Sequence, residues 1–474
     1  MRRAPLILAL LLAIAAAPAA AASPLESSVL DNLRRVLSMR DYNTRVVIAG
    51  VSLLGLAAGG LGTFLLLRKR SLTADALSHA TLPGIALAFI VATALGGDGR
   101  ALVWLLLGAF TTGVAGVGVI ILIRHTTRIK EDAALGIVLS VFFGAGAALI
   151  KLAEQMPQGS AAGLDRFILG RAASMIASDV QAIAIVTVIV LAICTLLFKE
   201  FRLLCFDQSF AGAQGWPVVL LDALLMGMVV AVTVIGLQSV GLVLVVAMLI
   251  TPAAAARFWT DRLSIMFPLA AALGAVGGAV GAIVSAAVER MPTGPIIVLV
   301  CSAFFVASLV FGSKRGLLVR ATQHLRLQRR VAEQHLLRAL WEAWEGQARE
   351  GGAIPIEQLK SRRSWSALAL RREINRLRRR GWVRLDAQGD IGLTAQGRIE
   401  AQRVVRNHRL WEMYLITHAD IAPTHVDRDA DQIEHVLPPD LIERLETLVA
   451  ASDARATVPA SPHELTAGAA GRRP

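Results

Sequence analysis

The sequence predicts an all-α, polytopic membrane domain followed by a smaller, polar region that is also mainly helical. Three observations carry this. Of 474 residues, 55% are hydrophobic and only 18% are charged, where a soluble globular chain is nearer one quarter charged. Mean hydropathy is +0.60, and apolar runs long enough to cross a bilayer recur as far as Gly312. Beyond Gly312 the character reverses, and arginines dominate the excess behind the net charge of +13. Three cysteines (Cys194, Cys205, Cys301) show no CxxC spacing, which excludes a disulfide framework and a zinc ribbon on these residues. They read as small buried hydrophobes.

Taken in order, residues 1–22 carry two arginines, a short apolar core (Leu6 to Ala16) and a run of small residues. This is a signal-peptide pattern, because the core is too short to span. Pro24 to Asn43 is polar and amphipathic. Spans are then expected at about 46–67, 76–96, 101–123, 134–153, 180–198, 217–236, 239–256, 264–287 and 295–312. About nine transmembrane helices from an outside N-terminus leave the C-terminal region in the cytoplasm. The basic residues agree with that sidedness: Arg68-Lys69-Arg70, Arg124 to Lys130, Lys199, Arg202, Arg257, Arg262 and Lys314-Arg315 fall on the inner side. Arg34, Arg35, Arg40 and Arg45 fall on the other side and fit only an interfacial helix. GAVGGAVG (Gly274 to Gly281) contains two overlapping GxxxG patterns, a signal for close helix packing. The loop from Met156 to Asp179 is long and holds GLDRFILG, with a short helix expected at the outer mouth.

One feature carries chemistry within the apolar part. SLTADALSHATLPG (Ser71 to Gly84) places Asp75 and His79 four residues apart, hence on one helix face. Ionisable groups inside a span are costly and face a pathway or partner rather than lipid. A carboxylate with an imidazole suits divalent transition metals. The bland alternative is a helix-capping Asp and an interfacial His.

The segment 44–312 resembles the metal-type ABC importer permeases. The likeness rests on TADALSHATLPGIALAF (Thr73 to Phe89), KEDAALGIVLSVFFGAG (Lys130 to Gly146), GLDRFILG, FDQSFAGAQG (Phe206 to Gly215) and LQSVGLVLVVAMLITPAAAARF (Leu237 to Phe258). The resemblance implies a two-fold pair of permease subunits, two ATPase subunits, an extracytoplasmic metal-binding protein, and Mn2+, Fe2+ or Zn2+ as cargo. It places Asp75 and His79 at positions of metal passage or gating. It makes Asp207, Gln208, Ser209, Phe210, Ala211, Gly212, Ala213, Gln214 and Gly215 the segment that docks on the ATPase. Gln238 and Pro252 shape helices. No GxxxxGK[ST] phosphate loop occurs, so ATP hydrolysis is expected on a separate subunit and the chain itself is not expected to be an enzyme.

Residues 331–394 read as helix, short helix, helix and a two-stranded wing, the order of a winged-helix domain. The third helix is expected at about Ser366 to Arg380, stopped by Gly381. Its arginines, among them Arg371, Arg372, Arg376 and Arg379, favour a polyanion: DNA, or alternatively anionic membrane lipid or the ATPase. NHRLWEMYL then sets His408 and Glu412 one turn apart, and VDRDADQIEHVL sets Asp431, Glu434 and His435 at i, i+3 and i+4. Two faces with such ligands point to a bound divalent ion.

Residues 331–450 resemble the metal-dependent repressors of the diphtheria-toxin-repressor and manganese-repressor type, through LTAQGRIEAQRVVRNHRLWE and IEHVLPPDLIERLE. The resemblance makes 395–450 a helical metal-binding and dimerisation domain. It assigns His408, Glu412, Asp431, Glu434 and His435 as ligands, with Asp427 and His335 as weaker matches. No Cys or Met is available for an iron-type site, so oxygen and nitrogen ligands remain, which leans towards manganese; the ion expected in function is Mn2+ or Fe2+, with Zn2+ an alternative. Ala369, Arg371 and Arg372 stand where the family has small polar base-reading residues. Residues 451–474 are small, polar and Pro-containing, a composition of disorder. The leading expectation is a metal importer permease of the bacterial inner membrane with a fused metal-sensing domain. The rival is a membrane-tethered or proteolytically released DNA-binding repressor.

Overall fold

The computed structural model describes residues 40–96, 101–156, 175–288, 291–345, 353–362 and 365–418, together with Val36 and Ser38. Two compact units divide the chain at residues 320 and 321. The first contains α1 (Tyr42–Leu67), α2 (Ser71–Ala80), α3 (Leu82–Ala94), α4 (Leu102–Thr126), α5 (Glu131–Glu154) and α6 (Ala177–Leu196). It continues with α7 (Phe198–Phe206), α8 (Gln208–Ala213), α9 (Val218–Val240), α10 (Leu242–Arg257), α11 (Leu263–Ala287) and α12 (Thr293–Phe311).

Each of the nine expected apolar segments corresponds to helix. Eight are long and apolar enough to cross a membrane, and α10 is a shorter apolar helix of 16 residues. The expected helix at the mouth of the 156–179 loop, the signal peptide and the 451–474 tail lie outside the described residues. The segment expected as one span at 76–96 is a single candidate span, Leu72–Ala94, within which α2 passes to α3 through Thr81. α2 ends at Ala80 and α3 begins at Leu82, with Pro83 in its first turn. Pro83 has no N–H to continue the ladder, and the Thr81 hydroxyl donates to the Ser78 carbonyl at 2.6 Å. His79 therefore sits in the last turn of a short helix.

α1 is the central element, and small residues let its neighbours reach it. A Cβ on Gly55 would lie 2.3 Å from the Gly274 carbonyl oxygen, and one on Gly62 would lie 1.7 Å from that of Leu249. The two overlapping GxxxG patterns of α11 serve different partners. Gly274 and Gly278 meet Gly55 and Val51 of α1, whereas Gly277 and Gly281 meet Cys301 and Ile297 of α12. In lipid no hydrophobic force drives apolar helices together, so such close backbone approach is a main source of packing energy. Near one end of α1, Phe64 packs against Phe198, Phe201 and Phe267.

The second unit is built on α13 (Leu317–Glu345), whose C-terminal half supplies its core, then α14 (Ile356–Arg362) and α15 (Ala367–Arg379). A two-stranded antiparallel sheet follows, β1 (Val383–Leu385) with β2 (Ile391–Leu393), in register Arg384 opposite Gly392. α16 (Ala395–His418) closes the described chain. Leu336, Leu340, Leu359, Leu370, Ile374, Leu377, Val383 and Ile391 form the core. The Ser366 hydroxyl caps α15 by accepting from the Ala369 N–H. Gly381, at φ +73°, ends the connection from α15.

Gly55→Ala is expected to destabilise the detergent-solubilised protein by about 1–3 kcal/mol through overpacking, read as a lower unfolding temperature. Gly227→Ala is the control, because a Cβ there meets nothing within 4 Å. Equal unfolding temperatures for both variants would contradict the packing account.

Candidate functional site

Asp75 and His79 lie on α2, with His79 Nε2 3.6 Å from Asp75 Oδ1. That distance is too long for a hydrogen bond. Two metal–ligand bonds of about 2.1 Å each nevertheless reach across it, so both donors fit one coordination shell. Their side chains are 42% and 22% exposed, respectively, in the single chain, so the pair opens away from the packed interior. Phe143 of α5 stands edge-on to the imidazole, with ring centroids 5.0 Å apart. His79 Nδ1 is enclosed without a hydrogen-bond partner among the described residues, which leaves Nε2 as the nitrogen on the open side. Among the described residues no third carboxylate, imidazole or thiol completes a metal cluster here.

The head of α2 is fixed by a buried ionic hub that the sequence reading missed. Lys69 adopts a left-handed φ of 59°, a conformation that costs a non-glycine residue about 1–3 kcal/mol. This turn directs both flanking arginines inward. Arg68 Nη2 lies 3.1 Å from Asp222 Oδ1, and Arg70 contacts both Asp222 and Glu131. Arg124 Nη1 reaches Asp222 Oδ2 at 2.9 Å. Asp222, on α9, is only 6% exposed. The Arg68-Lys69-Arg70 run, placed by the sequence on the inner side, therefore contributes two buried cations. Burial draws Arg68 below the usual arginine range, and Asp222 opposes that shift. The available signal was Asp222 itself, a lone carboxylate in the run WPVVLLDALLMG.

The segment 207–215 meets this hub. Asp207 caps α8, its Oδ1 accepting from the Phe210 N–H at 2.9 Å. Gly215, at φ +82°, turns the chain into α9. With its amide oxygen turned inward, Gln208 accepts from the Arg68 guanidinium, with Nη1 at 3.3 Å. Phe206, Phe210 and Trp216 are exposed beside it. A groove of about 380 Å³ is lined by Lys199, Glu200, Arg202, Leu203, Phe206, Gln214 and Trp216.

In the second unit, His408 and Glu412 are buried on α16 (2% and 0% exposed side chains), with Nε2 and Oε1 3.1 Å apart. The pair offers one nitrogen and one oxygen donor. A third group is present that the sequence reading did not include: Arg338 of α13, whose Nη1 lies 3.1 Å from His408 Nδ1. Arg338 Nε also donates to Glu342 Oε1 at 2.6 Å. His335 lies on α13, half-buried. Asp427, Asp431, Glu434 and His435 lie outside the described residues. On α15, Arg371, Arg372 and Arg379 are exposed, but Arg376 is held by Glu373 at 2.6 and 2.8 Å. Burial raises the Glu373 carboxyl above its usual range, with Arg376 opposing the shift.

Residues 39–312 match the model of the ABC 3 transport family. The chain belongs to that family. Residues 394–454 match the iron-dependent repressor metal-binding and dimerisation domain. The manganese transport system membrane protein MntC of Bacillus subtilis is 38% identical over 413 residues, covering 87% of this chain and 93% of that protein. The zinc transport system membrane protein TroC of Treponema pallidum is 40% identical, covering 60% and 95%. Among solved structures, PsaBC from Streptococcus pneumoniae in complex with Fab gives a TM-score of 0.51 at 32% identity, over 61% of this chain and 97% of that one. Membership of this family, with its apolar helices, makes the chain a multi-pass membrane protein.

Asp222→Ala leaves three arginines short of their shared carboxylate. It is expected to cost about 3–5 kcal/mol, measured by thermal unfolding in detergent. Lys151→Ala removes an exposed pair to Glu154 and is expected to cost at most ~1 kcal/mol. Similar losses from the two variants would contradict the hub.

Proposed function

We propose that this chain is the permease subunit of a bacterial inner-membrane ABC importer that moves Mn2+, Fe2+ or Zn2+ into the cytoplasm. The observation that carries the reading is the Asp75–His79 pair, a hard oxygen and a borderline nitrogen on the open face of α2, in a chain of the ABC 3 transport family. Relatives named for manganese and for zinc transport support this cargo class. The chemistry asked of the pair is exchange of water for two protein ligands, then release, so a partial and accessible shell is an advantage.

The account extends to the partners. Two permease subunits face each other across the Asp75 side of α2, an extracytoplasmic binding protein delivers the ion, and ATP is hydrolysed on separate subunits. The 207–215 segment docks on the ATPase, a role that suits its exposed Phe210 and the exposed Phe206 and Trp216 that flank it. The N-terminus lies outside and the second unit in the cytoplasm. That unit is a winged-helix module followed by a regulator-like domain, which takes a divalent ion from His408 and Glu412 together with Asp427, Asp431, Glu434 and His435. A second reading, DNA or another polyanion on α15, is favoured by one observation: Arg371, Arg372 and Arg379 are exposed.

The test is uptake of radiolabelled Mn2+ and Zn2+ by the transporter reconstituted with its ATPase and binding protein. Asp75→Ala and His79→Ala are each expected to reduce uptake at least tenfold while assembly with the ATPase persists. Wild-type uptake in both variants would overturn the assignment.

A further inference from the structure

The second unit already holds a cation where its metal is expected. Arg338 projects from α13, is almost fully buried (3% exposed side chain), and is oriented by its bond to Glu342. Its guanidinium lies 3.1 Å from His408 Nδ1, while His408 Nε2 lies 3.1 Å from Glu412 Oε1. Next to this cluster, Arg409 of α16 is clamped to Glu345 of α13 at 2.5 and 3.2 Å. The two helices are thus fixed to each other around the imidazole.

The hydrogen positions follow from the donors. A guanidinium carries only N–H donors and does not lose its proton. His408 Nδ1 must therefore accept, so the ring proton is on Nε2 and is donated to Glu412. A divalent ion needs a ring lone pair. At Nδ1, that lone pair is occupied by Arg338. At Nε2, coordination forces the proton onto Nδ1, where the ring N–H would face the N–H of Arg338. Neither nitrogen can bind a metal while the Arg338 contact lasts. The charges agree, because a divalent ion on His408 would stand close to a fixed, desolvated positive charge.

We infer that Arg338 is an internal cation that competes with the divalent metal for His408, so that metal enters this domain only by displacing the guanidinium. Arg338 is then the residue that sets the metal affinity of the domain. Displacement also removes a bond between α13 and α16, which gives occupancy a structural consequence. The inference rests on the reading of the second unit as a metal-binding domain.

The test uses the full chain in lipid nanodiscs carrying Asp75→Ala and His79→Ala, so that the transport pair takes up no ion. Mn2+ binding is followed by the EPR signal of free Mn2+. Arg338→Gln is expected to bind Mn2+ at least tenfold more tightly than Arg338, and the added affinity is expected to vanish with His408→Ala. Arg338→Lys keeps the charge and is expected to bind as weakly as the parent. A purely structural arginine predicts the opposite, since its loss would weaken binding. Equal or weaker binding by Arg338→Gln overturns the competition while leaving the metal site intact. Uptake of no Mn2+ by any of these proteins overturns the metal-binding reading itself. Should Arg338→Gln fail to fold, labelling of the parent chain by the arginine reagent phenylglyoxal decides. Modification of Arg338 is expected to rise with Mn2+, and unchanged labelling at saturating Mn2+ overturns the inference.

Discussion

The carboxylate of Asp222 is the point on which the membrane unit depends. Three arginines, Arg68 and Arg70 from the α1–α2 connection and Arg124 from the last turn of α4, converge on this one side chain, and only Glu131 would remain to Arg70 and Arg124 without it. The consequences are positional. Arg70 immediately precedes α2, so its pairs with Asp222 and Glu131 set where α2 begins and which way Asp75 and His79 face. Arg68 bridges the same carboxylate to Gln208 of α8. A displacement of α8 therefore meets α2 through a short chain of charged groups rather than through deformable apolar side chains. Such pairs are a poor source of net stability but a strong source of specificity in position.

The join between α2 and α3 adds to this. The join at Thr81, followed by Pro83, leaves His79 in the last turn of the ten-residue α2, with Asp75 one turn earlier. That segment is anchored at one end by ion pairs and at the other by close packing. A Cβ on Gly84 would lie 1.9 Å from the Gly108 carbonyl oxygen, so α3 and α4 meet backbone to backbone just beyond the join. A proline within a span is tolerated where the freed backbone is covered by protein.

Much of this was legible in the sequence, for identifiable reasons. Apolar run length found the spans, because lipid imposes a minimum length that soluble folding does not. The i,i+4 spacing found Asp75 with His79, and His408 with Glu412, because both pairs are local. The overlapping GxxxG patterns announced close packing but not that alternate glycines address α1 and α12. What escaped were partners distant in the chain. Asp222 lies 152 residues from Arg70, and Arg338 lies 70 from His408. No periodicity joins such positions. The Arg68-Lys69-Arg70 run was read through the sidedness rule, which concerns charge count and is silent on whether a cation is solvated or buried.

The central claim is that the transported ion is held by Asp75 and His79, and spectroscopy of a bound paramagnetic ion tests it most directly. The chain is assembled with its ATPase in nanodiscs, with His408→Ala to silence the second unit, and loaded with Mn2+. Electron–nuclear double resonance then reads the nuclei directly bonded to the metal. The account predicts a nitrogen coupling from one imidazole per bound Mn2+, which disappears in His79→Ala. A bound Mn2+ without nitrogen coupling, or a coupling that survives His79→Ala, would contradict it.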